Sequence, residues 1–260
     1  MHSVEPKIFL VGETKIVEDG LQSYLDHLGI PDWTSDAPCD AEKLVEVMGR
    51  LCYRSFQPGM NRNVTKIREG NDVYIANILK VRHGSVIEHP MLNFIFADVS
   101  RVFTHELVRH RQGVAISQES LRFVRLTDLG QWLPTCIRED ADAMTIFSIQ
   151  FEELERLQLQ LAEHFKLDEM ANFGKKKEVT SAMRRLAPLG LATTIGWSAN
   201  FRTLRWVIEM RTHESAEEEI RLVFAQVAEI AIERYPNLFG DFVSEEISGI
   251  KKFSTPNSKV

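Results

Sequence analysis

Residues 91–122 read MLNFIFADVSRVFTHELVRHRQGVAISQESLR, and the hydrophobic period changes halfway through this run. In MLNFIFADV the residues Leu92, Phe94 and Phe96 alternate, which puts them on one face of a strand. Ser100 then offers a side-chain oxygen to the first unpaired amides of a helix, and Val102, Phe103 and Leu107 follow as its buried stripe. Glu106, Arg109 and His110 stand at i, i+3 and i+4 of that helix and so share one face. Gly113 is the expected stop, and Arg122 opens a further extended run after Ser117-Gln118-Glu119-Ser120.

Working outward, KIFLVG (7–12) predicts a short strand. Asp40 is placed to cap a helix carrying Leu44, Val47, Met48, Leu51 and Cys52 at helical spacing. QPGMNRN (57–63) is a loop by its Pro, Gly and Asn content, and a helix from about Asp72 stops at Gly84. Toward the C-terminus, a long helix spans about Asp140 to Asn172 with Ile146, Ile149, Leu154, Leu157 and Leu161 as anchors. Gly174 and the lysines at 175–177 predict a solvated turn, with a short helix around Ala182–Leu186 and a strand over 189–197. Asn200 caps the helix holding RTLRWVIEMR, Ser215 and Glu218 form a capping box for the last helix, and Pro236 ends it. Helices exceed strands and the two do not alternate regularly. The expected fold is therefore α+β, a twisted and mostly antiparallel sheet packed with helices in one domain. That domain covers residues 1–245, and 246–260 form a partly disordered tail.

Composition narrows the function classes. Hydrophobic residues make up 44% and charged residues 26% of the 260 residues, as in an ordinary globular protein. A net charge of -6 and a pI of about 5.8 argue against nucleic acid as partner. No apolar run is long enough to span a membrane, and the N-terminal segment flanks its apolar run with acidic residues, unlike a secretory leader. Three cysteines, Cys39, Cys52 and Cys136, lack metal-site spacing and suit a reducing cytoplasm.

An acidic chain that concentrates Arg-His-Arg, two serines, an amide and another arginine between residues 109 and 122 has built a place for an anion. Arginines fork onto phosphate oxygens while hydroxyls, amides and backbone N–H groups orient a polar ring. Taken alone, Arg-His-Arg reads as easily as a cationic helix end. Arg211 lies on the same stripe as Leu204, Val207 and Ile208, where it either reaches out to water or turns into a pocket. No phosphate loop, no G-x-G-x-x-G turn and no H-E-x-x-H helix is present, so no metal is expected. Glu88-His89 reads as a structural pair or an acid–base pair. The residues themselves point to a nucleotide pocket and leave the reaction open.

The run from Arg109 to Arg122 resembles the signature of the flavin-dependent thymidylate synthases, written RHR-x-x-S-x-N-E-x-S-x-R. Arg109-His110-Arg111 matches its start and Ser120-Leu121-Arg122 its end. The resemblance extends back through RHGSVIEHP (82–90) and forward through RRLAPLGLATTIGWSANFRTLRWVIEMR (184–211) and SAEEEIR (215–221). This chain has one extra residue between Arg111 and Arg122, and Ser117-Gln118 stands where the signature has Asn-Glu. Val114 or Ala115 takes the place of the first serine, Phe123 that of a frequent Tyr, and Trp206 that of a polar flavin-contacting residue.

The resemblance implies a homotetramer with shared active sites that uses FAD to methylate dUMP at C5. Methylenetetrahydrofolate would supply the carbon and NADPH the reducing equivalents, with no attacking cysteine. It implies dUMP binding by Glu106, Arg109, Glu119, Ser120, Arg122, Arg184 and Arg211, the last promoting ionisation of the pyrimidine N3. It implies FAD contacts from Ser85, Arg109, His110, Arg111, Gln118, Asn200, Arg202 and Trp206. Two other readings stay open: a UMP methylase of a modified-nucleoside pathway, and a flavin- or nucleotide-binding homologue without turnover.

Overall fold

The computed structural model describes residues 2–121 and 130–258. Strands β1 (His2–Ser3) and β2 (Lys7–Glu13) lead into helix α1 (Glu18–His27). Helix α2 (Asp40–Tyr53) buries Ala41, Val45 and Val47, but its cap is Cys39. Asp40 is the first helical residue instead, and its carboxylate accepts from the Ile16 amide at 3.2 Å. Helix α3 (Asn71–Lys80) ends before Arg82, whose φ of 58° turns the chain, so Gly84 is not its stop. Gly84 begins a single 3-10 turn, Gly84–Glu88.

Strand β3 (Met91–Ser100) buries Leu92, Phe94 and Phe96, as the alternation predicts. Ser100 Oγ accepts from the Phe103 amide at 3.1 Å and caps α4 (Arg101–Leu107). Phe103 and Leu107 are buried and Val102 is half-buried. The helix is shorter than expected. It stops at Leu107, so Arg109 and His110 leave the face assigned to them with Glu106, and His110 turns to a buried position. Strand β4 (Val114–Gln118) follows, then β5 (Gly130–Gln131) and the short α5 (Thr135–Arg138).

Helix α6 (Ala141–His164) is capped by Asp140, which accepts from the amides of Asp142 and Ala143 at 3.0 and 2.9 Å. It ends at His164 rather than Asn172, where Lys166 adopts a φ of 46°. Phe151 and Gln158 are its buried residues, whereas the expected anchors Ile146 and Ile149 are 62% and 57% exposed. The lysines at 175–177 lie in helix α7 (Phe173–Met183), not in a turn, because the Asn172 side chain caps that helix at the Lys175 amide. A 3-10 turn at Arg184–Leu186 precedes Pro188.

Strand β6 (Ala192–Asn200) runs directly into α8 (Phe201–Arg211), capped by Asn200 as expected. Helix α9 (Glu218–Arg234) is capped by Glu217 through the amides of Glu219 and Ile220, so the expected capping box is absent and Ser215 bonds His213 instead. Pro236 starts a further short helix, α10 (Pro236–Phe239), where its missing N–H costs nothing. Strands β7 (Val243–Ile247) and β8 (Ile250–Ser254) form an antiparallel hairpin turned at Ser248-Gly249, both with positive φ. Part of that hairpin occupies the stretch expected as a tail.

The four-stranded sheet has the order β2-β3-β6-β4. Its neighbours run antiparallel: Thr14 N donates to Met91 O, Phe201 N to Pro90 O, Arg101 N to Leu191 O, Asn200 N to Gly113 O and Glu119 N to Thr194 O. β1 and β5 form a separate parallel pair.

The chain divides into two compact units. The first comprises Met1–Phe9, Ile95–Arg109 and Ile116–Trp197. Its core joins Phe96 edge-on to Phe103, 5.6 Å between ring centroids, and Phe96 to Trp197 at 6.1 Å. The second comprises Leu10–Phe94, His110–Ala115 and Ser198–Val260. There Phe201, Tyr235, Phe239 and Phe242 pack in a chain of rings, and burying each is worth about 1.5–3 kcal/mol.

Candidate functional site

Candidate residues collect in two groups, one in each unit. In the first unit, α4 begins with Arg101, immediately after the Ser100 cap. Arg101 Nη2 donates to the Glu119 carbonyl at 3.3 Å, and Thr194 N donates to Glu119 Oε2 at 3.3 Å. Gln118 Nε2 donates to Thr104 Oγ1 at 3.1 Å, so the end of β4 is fastened to α4. Arg101 Nε is buried with no hydrogen-bond partner among the described residues. Burial lowers the basicity of its guanidinium, Glu119 opposes that shift and the charge of Arg184 adds to it. A guanidinium weakened by burial and by a second arginine's charge, with an unpaired buried N–H, forms a place that an anion would stabilise. The sequence reading passed over Arg101. Its signal was available in the position after a cap, where a cation gains nothing from the helix dipole.

The other expected residues of this unit are less tightly organised. Arg109 is exposed beyond the end of α4, its amide donating to the Glu106 carbonyl at 3.3 Å. Glu106 and Ser120 are half-buried, and Arg184 is exposed on its 3-10 turn. Arg122 lies outside the described residues.

The loop between α4 and β4 spans six residues, 108–113, and its last four belong to the second unit. Gly113 has a φ of +66°, and a Cβ there would fall 2.4 Å from Asn200 Nδ2, so only glycine fits. The close approach lets Asn200 N donate to the Gly113 carbonyl at 2.9 Å, while Thr203 Oγ1 donates to the Gln112 carbonyl at 2.9 Å. Asn200 Oδ1 accepts from the Thr203 amide at 2.9 Å and caps α8. Loop and helix start are thus held as one piece.

His110, the first of these four residues, is 2% exposed. Its Nε2 accepts from Arg211 Nε at 2.7 Å, and Trp206 packs edge-on against the imidazole, 5.0 Å between centroids. Nδ1 is buried without a hydrogen-bond partner among the described residues. Burial, with the Arg211 charge second, pulls the imidazole pKa down to about 4, so the ring is neutral at pH 7. Because Nε2 accepts, the single proton sits on Nδ1.

A cavity of about 810 Å³ is lined by Gln112, Gly113, Asn200, Arg202, Thr203 and Trp206, with Glu88, Glu209 and Ser258. Arg202 Nη1 donates to Glu88 Oε1 at 2.5 Å, so Glu88 pairs with an arginine rather than with His89. Ser85 and Arg111 are exposed. The expected residues His110, Asn200, Arg202, Trp206 and Arg211 therefore share one unit, whereas Arg109, Gln118, Glu119 and Arg184 belong to the other. Among the described residues no cluster of His, Cys, Asp and Glu could hold a metal, and no helix is long and apolar enough to cross a membrane.

A profile of the thymidylate synthase complementing protein family, Thy1, matches residues 35–237. The flavin-dependent thymidylate synthase of Corynebacterium diphtheriae is 35% identical over 221 residues, covering 84% of this chain and 85% of that protein. That of Mycobacteroides abscessus is 33% identical over 223 residues, covering 81% and 83%. Two solved structures share the fold. ThyX from Helicobacter pylori with FAD and dUMP has a TM-score of 0.54 at 21% identity, covering 77% of this chain and 93% of its own. The UMP/dUMP methylase PolB from Streptomyces cacaoi with 5-Br dUMP has a TM-score of 0.63 at 13% identity, covering 92% and 96%. With a family profile over most of its length and relatives at a third identity, the chain belongs to the thymidylate synthase complementing family, that of the flavin-dependent thymidylate synthases.

Proposed function

We propose that this chain converts dUMP to dTMP, with methylenetetrahydrofolate supplying the carbon, NADPH the reducing equivalents and FAD the hydride carrier. The observation that carries this reading is the His110–Arg211 bond. It joins the first motif of the family signature to the last arginine of a block 101 residues away, in one half-buried contact.

A flavin suits the second unit's cavity. Trp206 offers an aromatic surface, Asn200 and Arg202 offer polar groups, and His110 Nδ1–H is a buried donor still lacking an acceptor among the described residues. When bound, FAD supplies hydride transfer, and the protein supplies orientation and electrostatics. Ser85, Arg109, His110, Arg111, Gln118, Asn200, Arg202 and Trp206 are proposed to hold it. Glu106, Arg109, Glu119, Ser120, Arg122, Arg184 and Arg211 are proposed to hold dUMP. Arg101 joins that set, because a phosphate dianion would relieve the repulsion between Arg101 and Arg184. Arg211 would stabilise negative charge developing at the uracil ring, as a fixed cation in a dry site does best. No thiol is needed: burial pushes the Cys39 thiol pKa up, which disfavours the nucleophilic thiolate. The working form is proposed to be a cytoplasmic homotetramer with shared sites, and three free cysteines are compatible with a reducing compartment.

Tritium release from [5-³H]dUMP should require FAD, NADPH and methylenetetrahydrofolate together. Arg211→Ala should cost about 10²–10³-fold in that rate while flavin binding changes far less, as for removal of one electrostatic donor. Equal loss of flavin and activity would contradict the role. The likeness to PolB keeps UMP as a second substrate to assay, but at 13% identity it speaks for fold alone, while the relatives at 33–35% identity favour dUMP. Release from UMP exceeding that from dUMP would overturn the substrate assignment.

A further inference from the structure

We infer that His110 is the positioning residue for Arg211, fixing the guanidinium of α8 through the lone pair of its Nε2. The inference rests on the reading of Arg211 as the cation that stabilises the uracil anion, and it assigns His110 a task beyond contact with a flavin.

Arg211 is the last residue of α8, at the end where the backbone no longer restrains a long side chain. An arginine there has four rotatable bonds and costs about 2 kcal/mol of rotamer entropy to immobilise. The 2.7 Å bond from Arg211 Nε to His110 Nε2 takes hold of the guanidinium at its inner nitrogen. A grip at that nitrogen sets the plane of the fork while His110 leaves both outer nitrogens to other partners.

The grip is itself held rigidly. His110 is 2% exposed, its ring meets the Trp206 indole edge-on, and the following loop is stitched to the start of α8 through Gly113 and Asn200. Both ends of the bond therefore belong to one small construction, the loop at 110–113 and helix α8. A neutral imidazole also suits the task chemically. It orients the cation without adding a negative charge that would compete with an anionic ring.

The two nitrogens of His110 thus have separable duties. Nε2 accepts from Arg211, while Nδ1–H is the donor left for a ligand. Two amide substitutions divide them. In His110→Gln a carbonyl oxygen can reach the place of Nε2, and in His110→Asn the amide reaches only the place of Nδ1. With the purified holoenzyme, His110→Asn should lower kcat for dUMP-dependent tritium release by about 10²-fold, the cost of a misplaced group, with flavin affinity changed much less. His110→Gln should exceed His110→Asn in kcat by about tenfold, because it restores the acceptor. In an Arg211→Lys background, which has no Nε, the difference between Gln and Asn should vanish.

A second measurement does not depend on turnover. In ¹⁵N-histidine-labelled protein the His110 shifts should show a proton on Nδ1 and a lone pair on Nε2. That tautomer in a protein without dUMP-dependent activity would remove the proposed function and leave the contact standing. An active enzyme with the proton on Nε2, or with Asn matching Gln, would overturn the positioning role while leaving the function intact.

Discussion

Single residues define this site by what they exclude. Gly113 carries a φ of +66° and lies so close to Asn200 that any Cβ would meet the amide at 2.4 Å. Gly113→Ala should therefore lower stability by about 1–3 kcal/mol, the cost of a strained backbone position, and loosen the grip on α8. Thermal unfolding of the variant reads that loss, and an unchanged midpoint would show that the loop is not fastened as described. Gly113 was legible in sequence as a helix stop. That its carbonyl accepts from the Asn200 amide was not, because no local pattern links residues so far apart. Arg101 illustrates the same limit. Its neighbour Ser100 announces the helix start, but the buried Nε and the opposing charge of Arg184 arise only where separate segments meet.

Elements show where local signals suffice and where packing overrides them. The alternation in β3 and the caps at Ser100 and Asn200 are local hydrogen-bond or burial patterns, and each forms as read. The length of α4 was misjudged because His110 gains burial by leaving the helix, and the anchors of α6 because sequence period does not say which face meets a neighbour. Helix α10 adds a further case. It is four residues long and too short to stand alone. Its first turn is capped from α2, where Glu42 Oε1 accepts from the amides of Asn237 and Leu238 at 2.8 and 3.0 Å. Glu42 is fully buried, and that burial raises its carboxyl pKa from 4.5 to about 7. A carboxyl raised in the folded state contributes stability that is full below the unfolded value and lost as pH rises toward the folded one. The loss between pH 4.5 and 7 is on the order of 3 kcal/mol. Glu42→Gln keeps the acceptor without the charge, so its unfolding free energy should fall less across this window than that of the unsubstituted protein. Parallel urea titrations from pH 4.5 to 7.5 would test this, and two curves of equal slope would rule out the ionisation.

At the scale of the whole molecule, the terminal hairpin is part of the folded structure. Ile250 and Phe253 are 8% and 3% exposed, β8 packs on α9, and Phe253 N donates to Thr212 Oγ1 at 2.9 Å. Asp241 further ties Arg205, Thr255 and Asn257 together. Removing residues 250–260 should cost about 3–6 kcal/mol from the two lost apolar side chains, visible as a lower urea midpoint. A truncated protein as stable as the full chain would show the hairpin to be an appendage. The hairpin's burial comes from α9, not from its own composition, so nothing local marks this stretch as folded. From its order of residues alone this chain determined its family, its mixed α and β character, most helix starts and the identity of its candidate ligands, since motifs, caps and hydrophobic periods are written within a few neighbours. Only the tertiary structure decided which arginines are held and by what, where α4 ends, and that a neutral imidazole grips Arg211. Those outcomes depend on burial and on partners brought from distant segments, and desolvation has no signature in a linear string.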